Sequence, residues 1–276
     1  MSDEELVLQE TAEAAERSGD LEAALDVWRV LSSIDANRPD YFCMSGRVAQ
    51  KLGRWADAER AFLDAISVAS KLKTIPGTPK SPELVDKTLS LAMGMLGSLF
   101  LARADGDRSA NAQKAKVWLE QAVAVAPSLI SLNFLATAHH RLGEREAAKE
   151  AFRRAIELNE SYAEARSILG LPLADDGQNV EGERLHRIAI AESYSNLGLL
   201  LADDGQDVEA ERLLRRAAQI NPNSHIAHGR LGILLQEQGR YSEAEAELKR
   251  SVEIDPTDAI ASFYLSRAAG GSGPSN

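Results

Sequence analysis

The sequence predicts an all-α fold, an α-solenoid in which antiparallel helix pairs stack side by side. Glycines recur at a fixed spacing of 34 residues, and a period of this size is typical of repeat arrays. The three glycine pairs are Gly19 with Gly53, Gly143 with Gly177, and Gly205 with Gly239. The same spacing separates Pro222 from Pro256, and the apolar residues between these markers follow helical periodicity.

The repeat is clearest over residues 225–258, which predict two helices joined by a tight turn. Gly239 stands where the first helix must end in a left-handed conformation, which glycine adopts without steric penalty. Pro256 stops the second helix because it cannot donate the next backbone hydrogen bond. The small residues Gly232 and Ala244 allow the two helices to approach closely.

This pattern resembles the tetratricopeptide repeat. In that family a large residue, Leu-Gly or Leu-Ala, a turn glycine, two alanines around a bulky residue and a closing proline follow in order. Residues 191–224 match with Tyr194, Leu197, Gly198, Leu201, Gly205, Ala210, Leu214, Ala217 and Pro222. The resemblance covers nearly the whole chain. It implies a right-handed superhelix of such pairs, with an irregular third repeat and a shortened fifth repeat.

The repeat matches divide the chain into units that we number in order. They place units 1 and 2 over 5–70, a loop insertion over 71–82, an irregular unit 3 over 83–127, unit 4 over 129–162, a shortened unit 5 over 163–190, units 6 and 7 over 191–258, a capping helix over 259–269 and a flexible tail over 270–276. In unit 4, Glu160 replaces the closing proline. In unit 5, Pro172 should kink or interrupt the first helix.

The third unit carries an insertion that begins with a predicted loop over Lys71–Ser81. Ser81 should then cap a helix that has Pro82 at its first position and runs to about Ala104. A second helix should follow from about Asn111 to Ala126. The loop is either a partner contact or a tolerated surface insertion, because long surface loops cost little extra stability.

The fifth unit is short, because Gly177 and Gly205 are only 28 residues apart. Residues 185–196 contain neither Gly nor Pro, so the sequence gives no strong signal for a helix end there. We therefore expect one fused helix from about Val180 to Ala202, with a homodimer that exchanges elements through this region as one consequence. The alternative is a tight turn near residues 189–192.

Composition and motifs predict a protein without catalytic machinery. The net charge is −11, which argues against a general nucleic-acid surface, and the single Cys43 excludes an internal disulfide framework. The N-terminus lacks a signal peptide, and no run approaches about 18 apolar residues. Nucleotide, zinc-protease and nucleophile-elbow motifs are absent from the sequence, and His139, His186 and His228 fit packed repeat positions. We therefore expect a cytoplasmic, non-enzymatic protein with no cofactor, metal, nucleic-acid or membrane partner.

The resemblance also implies a binding surface, because the first helices of such repeats line a concave groove. Its groove-facing positions are the second, fifth, ninth, twelfth and thirteenth of each unit. Applied here, they give a peptide-binding groove that includes Arg47, Gln50, Lys51, Asn133, Thr137, His140, Arg141, Ile233 and Gln236. Cys43, Ile226 and Gly229 fall on the same positions, Leu199 lies in the more apolar C-terminal half, and Asp203 and Glu237 lie near its edge.

The resulting functional prediction is a non-catalytic scaffold that binds a protein or peptide in the concave groove. We expect Arg47, Lys51, His140 and Arg141 to hold carboxylates of an acidic partner, unless these residues are ordinary solvated charges. Two alternatives remain open. One is a targeting module associated with an enzyme such as a glycosyltransferase or sulfotransferase, and the other is a self-assembling structural solenoid.

Overall fold

The computed structural model describes residues 2–74, 81–103, 106–169 and 177–271, with side chains described outside 160–186 and 269–271. These residues form thirteen α-helices and no strand. The helices are α1 Asp3–Ser18, α2 Leu21–Ile34, α3 Pro39–Lys51, α4 Trp55–Thr74, α5 Pro82–Ala102, α6 Arg108–Val125, α7 Leu129–Arg141, α8 Arg145–Leu169, α9 Gly177–Asp203, α10 Asp207–Ile220, α11 His225–Glu237, α12 Tyr241–Ile254 and α13 Ala259–Gly271. They divide into two compact parts, the N-terminal part (residues 1–144) and the C-terminal part (residues 145–276).

The N-terminal part is a stack of helix pairs, as the periodicity predicts. Helices α1 and α2, α3 and α4, and α5 and α6 pack against each other, and α7 packs on α5 and α6. Small residues allow these close approaches. A Cβ atom added at Gly97 would lie 2.5 Å from Leu119 Cγ, and one added at Gly46 would lie 2.6 Å from the Phe62 ring. The close approach predicted at Gly232 and Ala244 is confirmed in the same way, because a Cβ atom added at Gly232 would lie 2.6 Å from Leu248 Cγ and 3.1 Å from the carbonyl oxygen of Ala244.

Five of the six repeated glycines end helices in the left-handed conformation, as predicted, whereas Gly177 is the first residue of α9. Gly53 has a φ of +71°, and its N–H donates to the carbonyl of Gln50 at 3.0 Å. The next amide, Arg54 N–H, donates to the carbonyl of Ala49 at 2.9 Å. These bonds satisfy carbonyls at the end of α3 that would otherwise lack a partner. Positive φ values at the equivalent turns occur at Gly19, Gly143, Gly205 and Gly239.

In the third unit, the predicted helix cap at Ser81 is confirmed, and the predicted start of the loop is corrected. Ser81 Oγ accepts a hydrogen bond from Leu84 N–H at 3.3 Å, with Pro82 at the start of α5. The predicted loop begins too early, because α4 continues through Thr74. Residues 71–74 contain no breaker, and the first one is Pro76. The remainder of that loop, 75–80, lies outside the described residues.

The fused helix predicted in the C-terminal part is present as α9, which runs without interruption from Gly177 to Asp203. Helix α8 is continuous over 145–169, so no helix ends at 162–163, where the sequence analysis began unit 5. The physical reason is the same in both helices, because neither contains a signal that ends a helix. In α8, Glu160 stands where other units have proline, and in α9, residues 185–196 contain neither Gly nor Pro. Pro172 lies outside the described residues.

Helices α8 and α9 form an antiparallel hairpin. Arg145, at the start of α8, donates from Nη2 to Asp204 Oδ1 at 2.7 Å, just beyond the end of α9. Lys149 Nζ donates to the other oxygen of Asp204 at 2.7 Å. Hydrogen bonds to both cations hold the pKa of Asp204 below its ordinary value. After the hairpin, α9 and α10, α11 and α12, and finally α13 continue the stacked packing.

Helix α5 is long and apolar enough to cross a membrane by length and composition alone, which the sequence analysis did not expect. It has 21 residues and a mean hydropathy of 1.4 in its most apolar window, and 61% of that window is buried. Its side chains Leu89, Leu96 and Leu99 lie in the core of the N-terminal part. This burial is that of a core helix.

Candidate functional site

In the N-terminal part, two of the predicted groove cations, Arg47 and Lys51 of α3, contact Glu16 of α1. Arg47 Nη2 donates to both carboxylate oxygens of Glu16 at 3.0 Å, and Lys51 Nζ lies 3.3 Å from Oε2. Trp28 Nε1 donates to Oε1 at 3.0 Å. The cation pair that we expected to bind a partner's carboxylate therefore already holds a carboxylate of this chain.

Glu16 is nearly enclosed by these partners, with 10% of its side chain exposed. Burial raises the pKa of Glu16, but the Arg47 charge, the Trp28 and Arg47 hydrogen bonds and the Lys51 charge outweigh it and hold the pKa below its ordinary value. The Arg47 and Lys51 side chains remain 42% and 50% exposed. Their outer N–H groups can still reach a second carboxylate.

The neighbouring groove positions on α3 differ in accessibility. Gln50 is half-buried. Cys43 is 2% exposed, and burial raises the pKa of its thiol to about 12. Cys43 therefore belongs to the core, and its assignment to the groove surface is corrected.

The predicted site residues on α7 also have unequal roles. Asn133 is buried, and its carbonyl accepts a hydrogen bond from Thr137 Oγ1 at 2.9 Å. Arg141 Nη1 donates to the carbonyl of Leu101 near the end of α5. His140 is exposed. Arg141 thus satisfies a carbonyl at a helix end, while both Arg141 and His140 are exposed.

In the C-terminal part, the predicted groove positions on α9, α11 and α13 carry an apolar surface. Leu199 and Ile233 are half-buried, while Ile226, Ile260 and Phe263 are 43%, 64% and 57% exposed. Helix α11 contacts both α9 and α13, so these positions lie on neighbouring helices. We call these five residues the apolar face. Ile260 and Phe263 take the second and fifth positions of the capping helix, where the same count predicts them, although the sequence analysis did not extend the count that far.

Acceptor groups lie at the carboxyl ends of α9 and α11. Asp203 and Glu237 are exposed at the last residue of each helix. Gln236 Oε1 is buried without a hydrogen-bond partner within the described structure. Neither helix has a basic residue in its last turn. We call these three residues the acceptor rim.

Two arginines, Arg230 on α11 and Arg267 on α13, lie near the apolar face. Arg230 Nη1 donates to Ser195 Oγ at 3.0 Å and to Asn196 Oδ1 at 2.7 Å, which ties α11 to α9. Burial lowers the pKa of Arg230, although the Asp203 and Glu192 charges act against it. Arg267 lies on α13, with its guanidinium 5.8 Å from the centroid of the Phe263 ring.

Some of the remaining charged side chains pair along the second helices of the repeats. The i,i+4 pairs Glu211–Arg215 and Glu245–Lys249 form on α10 and α12. His228 is packed, with Nδ1 2.6 Å from Glu247 Oε2. Among the residues that the structure describes, no group of three or more His, Cys, Asp or Glu side chains is placed to hold a metal ion.

The chain is similar to known repeat families and structures. Residues 130–162 and 201–264 match two models of the tetratricopeptide repeat. No curated protein matches the sequence. In the crystal structure of the APC/C hetero-tetramer Cut9–Hcn1, one chain superposes with a TM-score of 0.68 at 15% identity, over 96% of this chain and 42% of that chain.

Two smaller structures match along nearly their whole length. BtubC from P. vanneervenii superposes with a TM-score of 0.57 at 20% identity, over 98% of this chain and 94% of that one. YrrB, described as a TPR protein with an unusual peptide-binding site, superposes with a TM-score of 0.52 at 15% identity, over 88% and 100%. At these identities the similarity concerns the fold.

Proposed function

The chain is a tetratricopeptide repeat protein with an α-solenoid fold, and we propose that it acts as a non-catalytic scaffold that binds a protein or peptide partner. The proposed binding surface is the groove, formed by the groove-facing positions of the first helices of the repeats. The YrrB structure supports this assignment by analogy, because its description reports a peptide-binding site on the same fold. Such extended helix faces are the usual recognition surfaces of solenoids.

The observation that carries the proposal is a set of accessible basic side chains on first helices of an acidic protein. Arg47 and Lys51 each keep about half of their side chain exposed, and His140 is exposed on α7. Together with Arg141, these groups favour a partner that carries carboxylates. Because Glu16 neutralises part of this charge, the partner's carboxylates approach the outer faces of the two α3 cations.

Two alternatives have less support. A targeting module for a glycosyltransferase or sulfotransferase would use the same surface, and only the identity of the partner distinguishes it. A self-assembling solenoid, or a homodimer through 180–202, would increase in mass with concentration, which light scattering measures. We also propose a cytoplasmic location, in keeping with the single buried Cys43.

The test is affinity capture with the wild-type chain and with an Arg47→Ala, Arg141→Ala double variant. A control double variant, Arg212→Ala with Arg250→Ala, removes the same charge from the second helices α10 and α12. We expect partners retained by the wild type and the control to be lost from the groove variant, most clearly at low salt. Equal retention by all three proteins would exclude the proposed cation site.

A further inference from the structure

We propose that the apolar face and acceptor rim of the C-terminal part form a second docking surface, specific for a basic, amphipathic segment of a partner chain. The surface lies on α9, α11 and α13, far in sequence from the cations of α3 and α7. Its charge is opposite to theirs, so it selects a partner of different chemistry.

The apolar face supplies the contact area. Ile226, Ile260 and Phe263 each expose between 43% and 64% of their surface on adjacent helices, and Leu199 and Ile233 extend the surface toward the helix ends. Exposed apolar side chains that lie singly are ordinary, but a contiguous group marks an interaction surface. Phe263 is the natural anchor, since aromatic side chains dominate the energetics of interfaces.

The acceptor rim determines the charge of the partner. The carboxyl end of a helix carries partial negative charge, so an acidic residue there is unfavourable unless a cation compensates it. In the N-terminal part the last turns of α1, α3 and α7 carry bases, among them Lys51 and Arg141, whereas the last turn of α5 carries none. In α9 and α11 they carry Asp203 and Glu237 instead, and the structure places no cation against Glu237 within the described residues. A lysine or arginine of the partner would supply this compensation.

Glu237 is the carboxylate of the rim that determines where the cation of the partner binds. Asp203 is already close to a cation, with Arg145 Nη1 at 3.5 Å from its Oδ2. Gln236 Oε1 is buried beneath the surface, so it does not contact the partner directly. The lysine or arginine of the partner is therefore expected at Glu237.

The cations on this face limit the orientation of the partner. Arg230 is held by Ser195 and Asn196 and is not available. Arg267 lies on α13, beside Phe263. We therefore expect the basic residues of the partner at the carboxyl ends of α9 and α11, and its apolar residues across Ile233, Ile226 and Phe263. An amphipathic helix, about 10–12 Å wide, suits a surface whose length from Ile226 to Glu237 is about 16 Å.

The experiment measures fluorescence anisotropy of two labelled synthetic peptides of about 18 residues. One places leucine on one helical face and lysine on the other, and its counterpart carries glutamate in place of lysine. We expect the full chain to bind the lysine peptide at least about tenfold more tightly. Glu237→Lys should weaken binding about fivefold, and Phe263→Ala should weaken it by a similar factor. Lysine suits a helix end, so the first variant keeps its fold.

Glu253→Lys on α12 is the matched control, because it makes the same change in net charge at an exposed position. It should alter the affinity by less than about twofold. Equal weakening by the Glu237 and Glu253 variants would mean non-specific attraction to an acidic protein and would overturn the proposal, as would equal affinity for both peptides or no binding. The Arg47→Ala, Arg141→Ala variant should bind the lysine peptide normally, so this proposal and the acidic-partner site can fail separately.

Discussion

Single residues decide which charged groups are free to bind a partner. The sequence places Arg47 and Lys51 correctly on one face of α3, but their contact with Glu16 joins residues 31 positions apart. Periodicity alone does not reveal such a contact. A signal was available, since Glu16 occupies the twelfth position of unit 1, which corresponds to Gln50 and Gln236 in later units. Counting the groove positions through the first unit would have identified the contact.

Replacement of Glu16 should weaken the attachment of α1 in a pH-dependent way. The pKa of Glu16 is lower in the folded chain than its ordinary value, so the ionised carboxylate contributes stability above the ordinary pKa and loses it as the pH falls through the folded pKa. Glu16→Gln should lower the opening free energy of α1 by about 1–3 kcal/mol at pH 7, with a smaller difference at a pH below the folded pKa. Hydrogen exchange of the α1 amides measures it. Glu13→Gln, more exposed on the same helix, should have little effect.

Two glycines of α5 should respond in opposite ways to alanine. A Cβ at Gly97 would lie 2.5 Å from Leu119 Cγ, whereas a Cβ at Gly94 would have no neighbour within 4 Å. Gly94→Ala should stabilise the helix by about 0.5–1 kcal/mol through helix propensity. Gly97→Ala should destabilise it by about 1–3 kcal/mol, because Leu119 must move. The urea midpoint of each variant gives the sign, and a stabilising Gly97→Ala would contradict the described packing.

Whole helices follow the stop signals that the sequence contains. The fused α9 was predictable because residues 185–196 contain no Gly or Pro. The continuous α8 carries the same signal at Glu160, but the sequence analysis gave more weight to the repeat period than to the missing proline. The early start of the predicted loop after α4 has the same origin, since Lys71–Thr74 remain helical until the breakers at Pro76 and Gly77.

A proline in the middle of α9 should test its continuity. Ala189→Pro would remove one helical hydrogen bond and clash with the preceding turn, so we expect a loss of about 3 kcal/mol or more in the C-terminal part. The control is Ala259→Pro at the first residue of α13, a position that proline already occupies in α3 and α5. Circular dichroism during urea unfolding compares them. An unaffected Ala189→Pro variant would indicate a turn at 189–192 instead.

For the molecule as a whole, stability in a solenoid is a sum of neighbouring contacts. The fold class could be predicted from the period, the turn glycines and the closing prolines, because each repeat contains the signals for its own local structure. The binding surfaces could be predicted only as positions, because the hydrogen-bond partners of Arg47 and Arg141 depend on side-chain geometry. Repeat proteins therefore reveal their architecture in sequence more readily than their recognition chemistry.

The destabilisation caused by a core substitution should accordingly extend only to the neighbouring helices. Leu248→Ala in α12 removes a fully buried side chain that packs against Gly232, and it should cost about 2–5 kcal/mol. Hydrogen exchange should accelerate in α11, α12 and α13 and stay unchanged in α1 to α4. A uniform acceleration along the chain would show that the molecule unfolds as one cooperative body.

The burial of Cys43 has a practical consequence for all of these measurements. A thiol whose pKa is about 12 is almost entirely protonated at neutral pH, and only the thiolate attacks maleimides or forms disulfides readily. Cys43 should therefore react only slowly with such reagents. A cysteine introduced at Ser266, which is exposed on α13, would take up a fluorophore or spin label selectively without prior removal of the native thiol.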